Sequence, residues 1–142
     1  MDNEFAIRQA MAADLPGIVR LDNDAFSPYS TAEEPEIIAA RLAVFPEGMA
    51  VVELGGQLIG YGSAEKWLSD REPALNEHPR DTHHPGGHIF CITAMAISSA
   101  FQRQRYGTAL LHYFIELART HGCYQIILET THAQQFYQKQ GF

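Results

Sequence analysis

A mixed α/β domain is the fold class this sequence predicts, on three observations. In "MAVVELGGQLIGYGSAEKW", two strand-like runs flank Gly55-Gly56, the pattern of an antiparallel hairpin. Residues 88 to 129 read as strand, amphipathic helix and strand, which implies a parallel crossover. Two helical segments come before the hairpin rather than alternating with strands. The expected order is β-α-α-β-β-β-α-β-α, in one domain over residues 1–142.

Glu4 to Gln9 alternate weakly and form the first expected strand. Asp14 is placed to cap a helix running to about Phe26, with Pro16 in its first turn, where a missing N–H costs little. Leu15, Ile18, Val19 and Phe26 supply its apolar face. After "SPYS", Thr31 and Glu34 have capping-box spacing ahead of Ile38, Leu42 and Phe45, which recur at helical intervals until Pro46 and Gly48. Gly60 and Gly62 in the second hairpin strand call for a bulge or a close backbone approach. Residues 68 to 87, broken by three prolines and two glycines, read as a long loop. His88 to Ile97 is a buried strand. Tyr106 to His121 is a helix whose apolar positions Leu110, Leu111, Phe114, Ile115 and Ala118 share one face. Gly122 ends it, "YQIILET" is a strand, and His132 to Gln140 is a last short helix.

Composition narrows the function. With 46% hydrophobic and 19% charged residues, the chain has the balance of a globular domain rather than a disordered one. A formal charge of −7 argues against a broad nucleic-acid-binding face. No apolar run approaches the roughly 18 residues a membrane span needs, and "MDNEF" lacks a basic-then-apolar start, so the expected location is cytoplasmic. Cys91 and Cys123 sit among apolar residues and read as buried free thiols.

Against this acidic background, "FQRQRYGTALL" carries Arg103 and Arg105 just before a helix start. A strand ending near Ile97 and a helix beginning near Tyr106 leave unpaired N–H groups at a positive dipole end, which suits an anion, phosphate above all. Gly107 permits close approach of a ligand to the backbone, and Thr108 and Ala109 keep the first turn narrow. A solvated strand-to-helix turn is the competing reading of the same residues.

Gln102-x-x-Arg105-x-Gly107 resembles the pyrophosphate-binding signature of the GNAT N-acetyltransferase superfamily. "AQQFYQKQGF" resembles that family's C-terminal signature, and "IRQAMAADLPGIVRL" and "GGQLIGYGSAEKW" sit where related phrases sit in the family. The resemblance implies a GNAT-like acyl-CoA N-acyltransferase fold. It implies acetyl-CoA as cosubstrate, held by Gln102, Arg103, Gln104, Arg105, Tyr106, Gly107 and Thr108 at its pyrophosphate and by Met95, Ala96 and Ile97 along its arm. It implies Tyr137 as the acid that protonates the departing sulfur, against the alternative of a core aromatic. The expected activity is transfer of an acetyl group to a primary amine of a small molecule or protein by direct attack. A non-catalytic coenzyme A-binding sensor or interaction module is the alternative, and a dinucleotide-binding domain is disfavoured for want of a glycine fingerprint.

Two departures from the family pattern carry expectations of their own. Arg105 stands where the family has a glycine, so a left-handed backbone there would weaken cofactor binding. The sequence stops at Gly141-Phe142, where family members add one or two strands. Either it is cut short, or a neighbouring chain completes the sheet, which makes a homodimer a possible assembly. No carboxylate lies at Thr93 to Met95, which leaves Glu65, Glu129 or a histidine acting through water as base candidates. His78, His83, His84 and His88 cluster, but without zinc-site spacing, and no metal is expected.

Overall fold

The structure, a computed structural model, describes residues 5–71 and 74–128. Strand β1 (Phe5–Gln9) leads through a short 3-10 turn into helix α1 (Leu15–Phe26), and helix α2 (Pro35–Val44) follows. The hairpin is β2 (Met49–Leu54) and β3 (Gln57–Trp67). After it come a one-turn helix α3 (Pro79–Thr82), strand β4 (Ile89–Ile97), helix α4 (Tyr106–Thr120) and strand β5 (Gln125–Leu128). The sheet order is β1-β2-β3-β4-β5, antiparallel throughout except for the parallel β4–β5 pair that α4 connects. This is the mixed sheet expected from the sequence. The final expected helix, with Tyr137, lies outside the described residues, and so does Glu129 at the end of the last expected strand.

The hairpin turns at Gly55 and Gly56, whose φ of 57° and 83° favour glycine. One layer of core lies between the sheet and α4, built on Val52, Ile59, Phe90, Leu110, Leu111 and Phe114. The other lies under α1 and α2, built on Ile18, Ile38, Met49, Val51, Tyr61 and Ala96. Alternation along the strands assigns each residue to a layer. Met95 and Ile97 pack towards α4, while Ala94 and Ala96 pack towards α1 and α2.

Three local expectations are corrected. Asp14 precedes α1 but makes no side-chain cap on it, because its carboxylate is taken by Arg8 at 2.8 and 3.0 Å and by the Met11 N–H at 2.8 Å. The Thr31–Glu34 capping box does not form. Thr31 Oγ1 donates back to the Phe26 carbonyl, and the helix starts at Pro35, which needs no acceptor for its nitrogen. The 68–87 loop is also less irregular than its prolines imply, since Pro79 begins α3. His78 Nδ1 accepts from the Arg80 N–H there.

Candidate functional site

Between the end of β4 and the start of α4 the chain makes a 3-10 turn, Ser99–Phe101, and then residues 102–105. Gln102 Nε2 donates to the Ile97 carbonyl at 3.0 Å and closes the loop on the strand it left. The first backbone acceptor of the helix is the Arg105 carbonyl, reached by the Ala109 N–H at 3.0 Å. Among the described residues, the N–H groups of 103 to 108 donate to no backbone oxygen of the loop. They sit at the positive end of a 15-residue helix, which is the arrangement an anion needs.

The strain expected at Arg105 falls two residues earlier. Arg105 has φ −106° and ψ 1°, a region open to side chains, so replacing glycine there costs the backbone little. The left-handed residue is Arg103, at φ 61°. The Arg105 guanidinium lies over the Phe5 ring, 5.2 Å from its centre, and Phe5 meets Tyr106 edge-on at 5.0 Å. Buried Tyr106 thus anchors the helix start between Phe5 and Phe101. Gln102, Arg103, Gln104 and Arg105 are exposed, and Gly107 and Thr108 are half-buried.

Sheet pairing changes at Thr93. Ile89 to Ile92 pair with β5 on one side and with β3 at Trp67 to Ala64 on the other, whereas Ala94 to Ile97 pair with β3 at Ser63 to Gly60 and not with β5. The register slips by one between them, leaving Thr93 without a partner on β3, a bulge. Among the described residues no strand pairs with the outer side of Met95, Ala96 and Ile97, so an extended ligand arm could hydrogen-bond there. At the bulge, Ser63 Oγ and Thr93 Oγ1 are 2.6 Å apart.

The face of β3 under α1 and α2 carries a polar row: Tyr61, Ser63, Glu65 and Trp67. The Tyr61 hydroxyl donates to Asp22 Oδ1 at 2.5 Å, and Asp22 Oδ2 accepts from the Glu33 N–H at 2.9 Å. Burial pushes the Asp22 carboxyl above its ordinary range, opposed by the Tyr61 hydrogen bond. Burial also raises the Tyr61 phenol, with the Asp22 charge acting in the same direction, so it stays protonated. Arg41 grips Glu33 with Nε and Nη2, both at 2.8 Å, and reaches Glu65 with Nη1 at 2.9 Å. Trp67 Nε1 donates to the other Glu65 oxygen at 2.6 Å.

The model of the acetyltransferase (GNAT) family matches residues 15–142. The chain belongs to the GNAT acetyltransferase family. Its fold is that of solved GNAT structures. The loading GNATL domain of CurA from Lyngbya majuscula matches at 20% identity and a TM-score of 0.80, over 90% of this chain and 65% of that one. Ard1 from Thermoplasma volcanium matches at 20% identity and a TM-score of 0.75, over 97% and 82%. A GNAT family acetyltransferase from Brucella melitensis, solved with acetyl-CoA, matches at 20% identity and a TM-score of 0.69, over 95% and 82%. The chain thus spans just under two thirds of the CurA domain. No curated protein sequence matches it.

Within this GNAT chain, the structure separates the base candidates. Both Glu65 oxygens are occupied by Arg41 and Trp67, and the residue is 2% exposed, so it does not face a reacting amine. The histidines disperse into backbone contacts. His83 Nδ1 accepts from the Lys66 N–H at 3.0 Å, His84 Nδ1 from the Gly86 N–H at 3.1 Å, and the His88 ring stacks on Tyr124. Burial pushes both thiols up, most strongly Cys91, so neither is poised as a thiolate. Sequence reasoning passed over Asp22 and Arg41. Each holds an inward position in an otherwise apolar helical period, four after Ile18 and three after Ile38, and that was the signal available.

Proposed function

We propose that the chain is an acetyl-CoA-dependent N-acetyltransferase acting on a primary amine. The observation that carries this reading is the run of N–H groups from 103 to 108 which, among the described residues, donate to no backbone oxygen of the loop, at the α4 start and beside two exposed arginines. A pyrophosphate is the group such a nest fits, through several charge-assisted hydrogen bonds. Gln102, Arg103, Gln104, Arg105, Tyr106, Gly107 and Thr108 would hold it, and the open side of Met95, Ala96 and Ile97 would bond the arm. Acetyl-CoA would supply the activated thioester.

In the transfer, the amine nitrogen bonds to the acetyl carbon and the carbon–sulfur bond breaks. Backbone N–H groups of β4 near the bulge stabilise the negative oxygen as it forms. The amine gives up its proton to water, and the thiolate takes one from Tyr137, a phenol that is protonated at neutral pH. The hydroxyls of Ser63 and Thr93 cannot serve as a base at that pH, but they can orient a water or the amine.

Isothermal titration of the purified protein with acetyl-CoA, with NAD as control, tests the reading. Saturable one-to-one binding of the first alone, abolished in Gly107→Glu, is expected, because a carboxylate would bring like charge to the phosphate site. Absence of binding would end the case for this loop. Thiol release with a panel of amines then separates an enzyme from a coenzyme A-binding module. In the enzyme, Tyr137→Phe should lower turnover and leave affinity nearly unchanged.

A further inference from the structure

Two hydroxyls stand at the bulge, and a count of their protons shows which one has a proton to spare. Ser63 Oγ and Thr93 Oγ1 are 2.6 Å apart, and either atom could be the donor. Among the described residues neither hydroxyl has another partner. Each carries one proton, so one proton lies between the two oxygens and the other is left over. Ser63 is 2% exposed, whereas Thr93 is half-buried. A spare proton on Ser63 would be buried without an acceptor, at the full desolvation cost of an unmade hydrogen bond. Ser63 therefore donates to Thr93, and the Thr93 O–H is free to donate outward.

The bulge decides where that donor sits. Phe90 and Ile92 pack towards α4, while Cys91 packs with Trp67 on the opposite face. Strict alternation would keep Thr93 with Cys91 and send Ala94 towards α4. The extra residue instead leaves Thr93 and Ala94 on one face, the one under α1 and α2, where Thr93 meets Ser63. Thr93 is also the first residue of β4 past the β5 pairing, which ends at Ile92. It lies four residues from Ile97, about 13 Å along an extended strand, on the side away from the α4 loop. An arm bonded along Met95 to Ile97 would end with its thioester beside Thr93.

We propose that Thr93 is a catalytic residue whose O–H donates to the thioester oxygen, and that Ser63 is the positioning residue that fixes its direction. This rests on the acetyltransferase reading. As the amine nitrogen bonds to the acetyl carbon, the carbonyl π pair moves onto the oxygen, and the Thr93 hydrogen bond strengthens without proton transfer. The pair returns to the carbonyl as the carbon–sulfur bond breaks. A side-chain donor thus joins the β4 backbone N–H groups at the forming negative charge.

Three variants test this. Thr93→Val keeps the shape and removes the hydroxyl, and with an amine that the wild-type protein acetylates it should lower kcat about a hundredfold. Thr93→Ser should recover most of that loss, and Ser63→Ala should cost a smaller factor. Affinity for free coenzyme A, which lacks the carbonyl, should stay within about twofold in all three and shows that each is folded. The infrared spectrum of bound acetyl-CoA, isotopically labelled at its carbonyl carbon, provides a readout independent of turnover. A donor at the oxygen weakens the C=O bond. The stretch should therefore rise in frequency in Thr93→Val, rise less in Ser63→Ala, and return in Thr93→Ser. An equal stretch in the wild type and Thr93→Val, with acetyl-CoA bound to both, would overturn the proposal and leave the acetyltransferase reading standing. Thr93 would then donate only to water. Equal kcat in the two would overturn it as well. Failure of the wild type to bind acetyl-CoA would instead remove the reading itself, and the proposal with it.

Discussion

At Gly62 the sheet and α4 meet more closely than any side chain allows. A Cβ there would lie 2.4 Å from Phe114 Cε2 and 3.2 Å from the Ala94 carbonyl. Gly60 is similar, with Ile97 Cδ1 at 2.6 Å and the Ala96 carbonyl at 2.9 Å. Gly60 and Gly62 are the residues of β3 that pair with Ile97 and Met95, in the part of β4 proposed to bond the cofactor arm. Phe114 is fully buried, and the packed interior leaves its ring no free direction. Gly62→Ala should cost about 1–3 kcal/mol, the usual range for overpacking a core. A fall in the denaturant midpoint with an unchanged slope would show it. An unchanged midpoint would mean that the Phe114 ring turns aside.

At the scale of elements, what was legible in the sequence was whatever period and punctuation encode. The apolar face of α4, the Gly55-Gly56 hairpin and the parallel pair around α4 all appear where the residues indicate. The bulge at Thr93 did not announce itself, because nothing in "CITAMAI" breaks the strand pattern and the slip arises from pairing with β3. The polar network through Arg41 was hidden for a similar reason: Glu33, Arg41, Glu65 and Trp67 lie on separate elements, and only the fold brings them together. In the α4 loop the residue types were legible and the conformations were not. Arg105, in the family's glycine position, is unstrained, and Arg103 carries the positive φ. Arg103→Gly should therefore split two properties. Stability should rise by up to about 1 kcal/mol as the left-handed strain is relieved, less the entropy that glycine adds. Affinity for coenzyme A should fall several-fold, and the deficit should shrink at high salt, since an exposed cation acts through screened charge. Titration at low and high salt, beside a denaturation curve, measures both. Equal affinity at low salt would take Arg103 out of the anion site.

Across the whole molecule, buried ionisable groups set opposing responses to acid. The His83 ring stacks on Phe45 at 4.5 Å, and its pKa falls from 6.5 to about 4, first by burial and then by the positive charge of Lys66. The folded protein keeps His83 neutral where the unfolded chain would protonate it. Its contribution is present above about pH 6.5 and is lost as the pH falls towards 4. Asp14, lowered chiefly by its hydrogen bonds with Arg8, loses its contribution in more acid solution still. Asp22 runs the other way. Burial raises its folded pKa, so its contribution is present below the ordinary carboxylate range and lost as pH rises through the raised value. At neutral pH the Asp22 charge therefore costs stability, unlike that of Asp14. An asparagine side chain in its place could still accept from the Glu33 N–H with its carbonyl and donate to the Tyr61 oxygen with its amide. Denaturant midpoints from about pH 4 to 8 should then show two effects. His83→Gln, which can still accept from the Lys66 N–H, should flatten the acid limb between 6.5 and about 4. Asp22→Asn should raise the midpoint at neutral pH, with the gain shrinking as the solution becomes acid. An unchanged slope in His83→Gln would assign the acid limb to the carboxylates. A neutral-pH loss in Asp22→Asn would mean that the Asp22 charge stabilises the fold, as in a satisfied ion pair with Arg41 across Glu33.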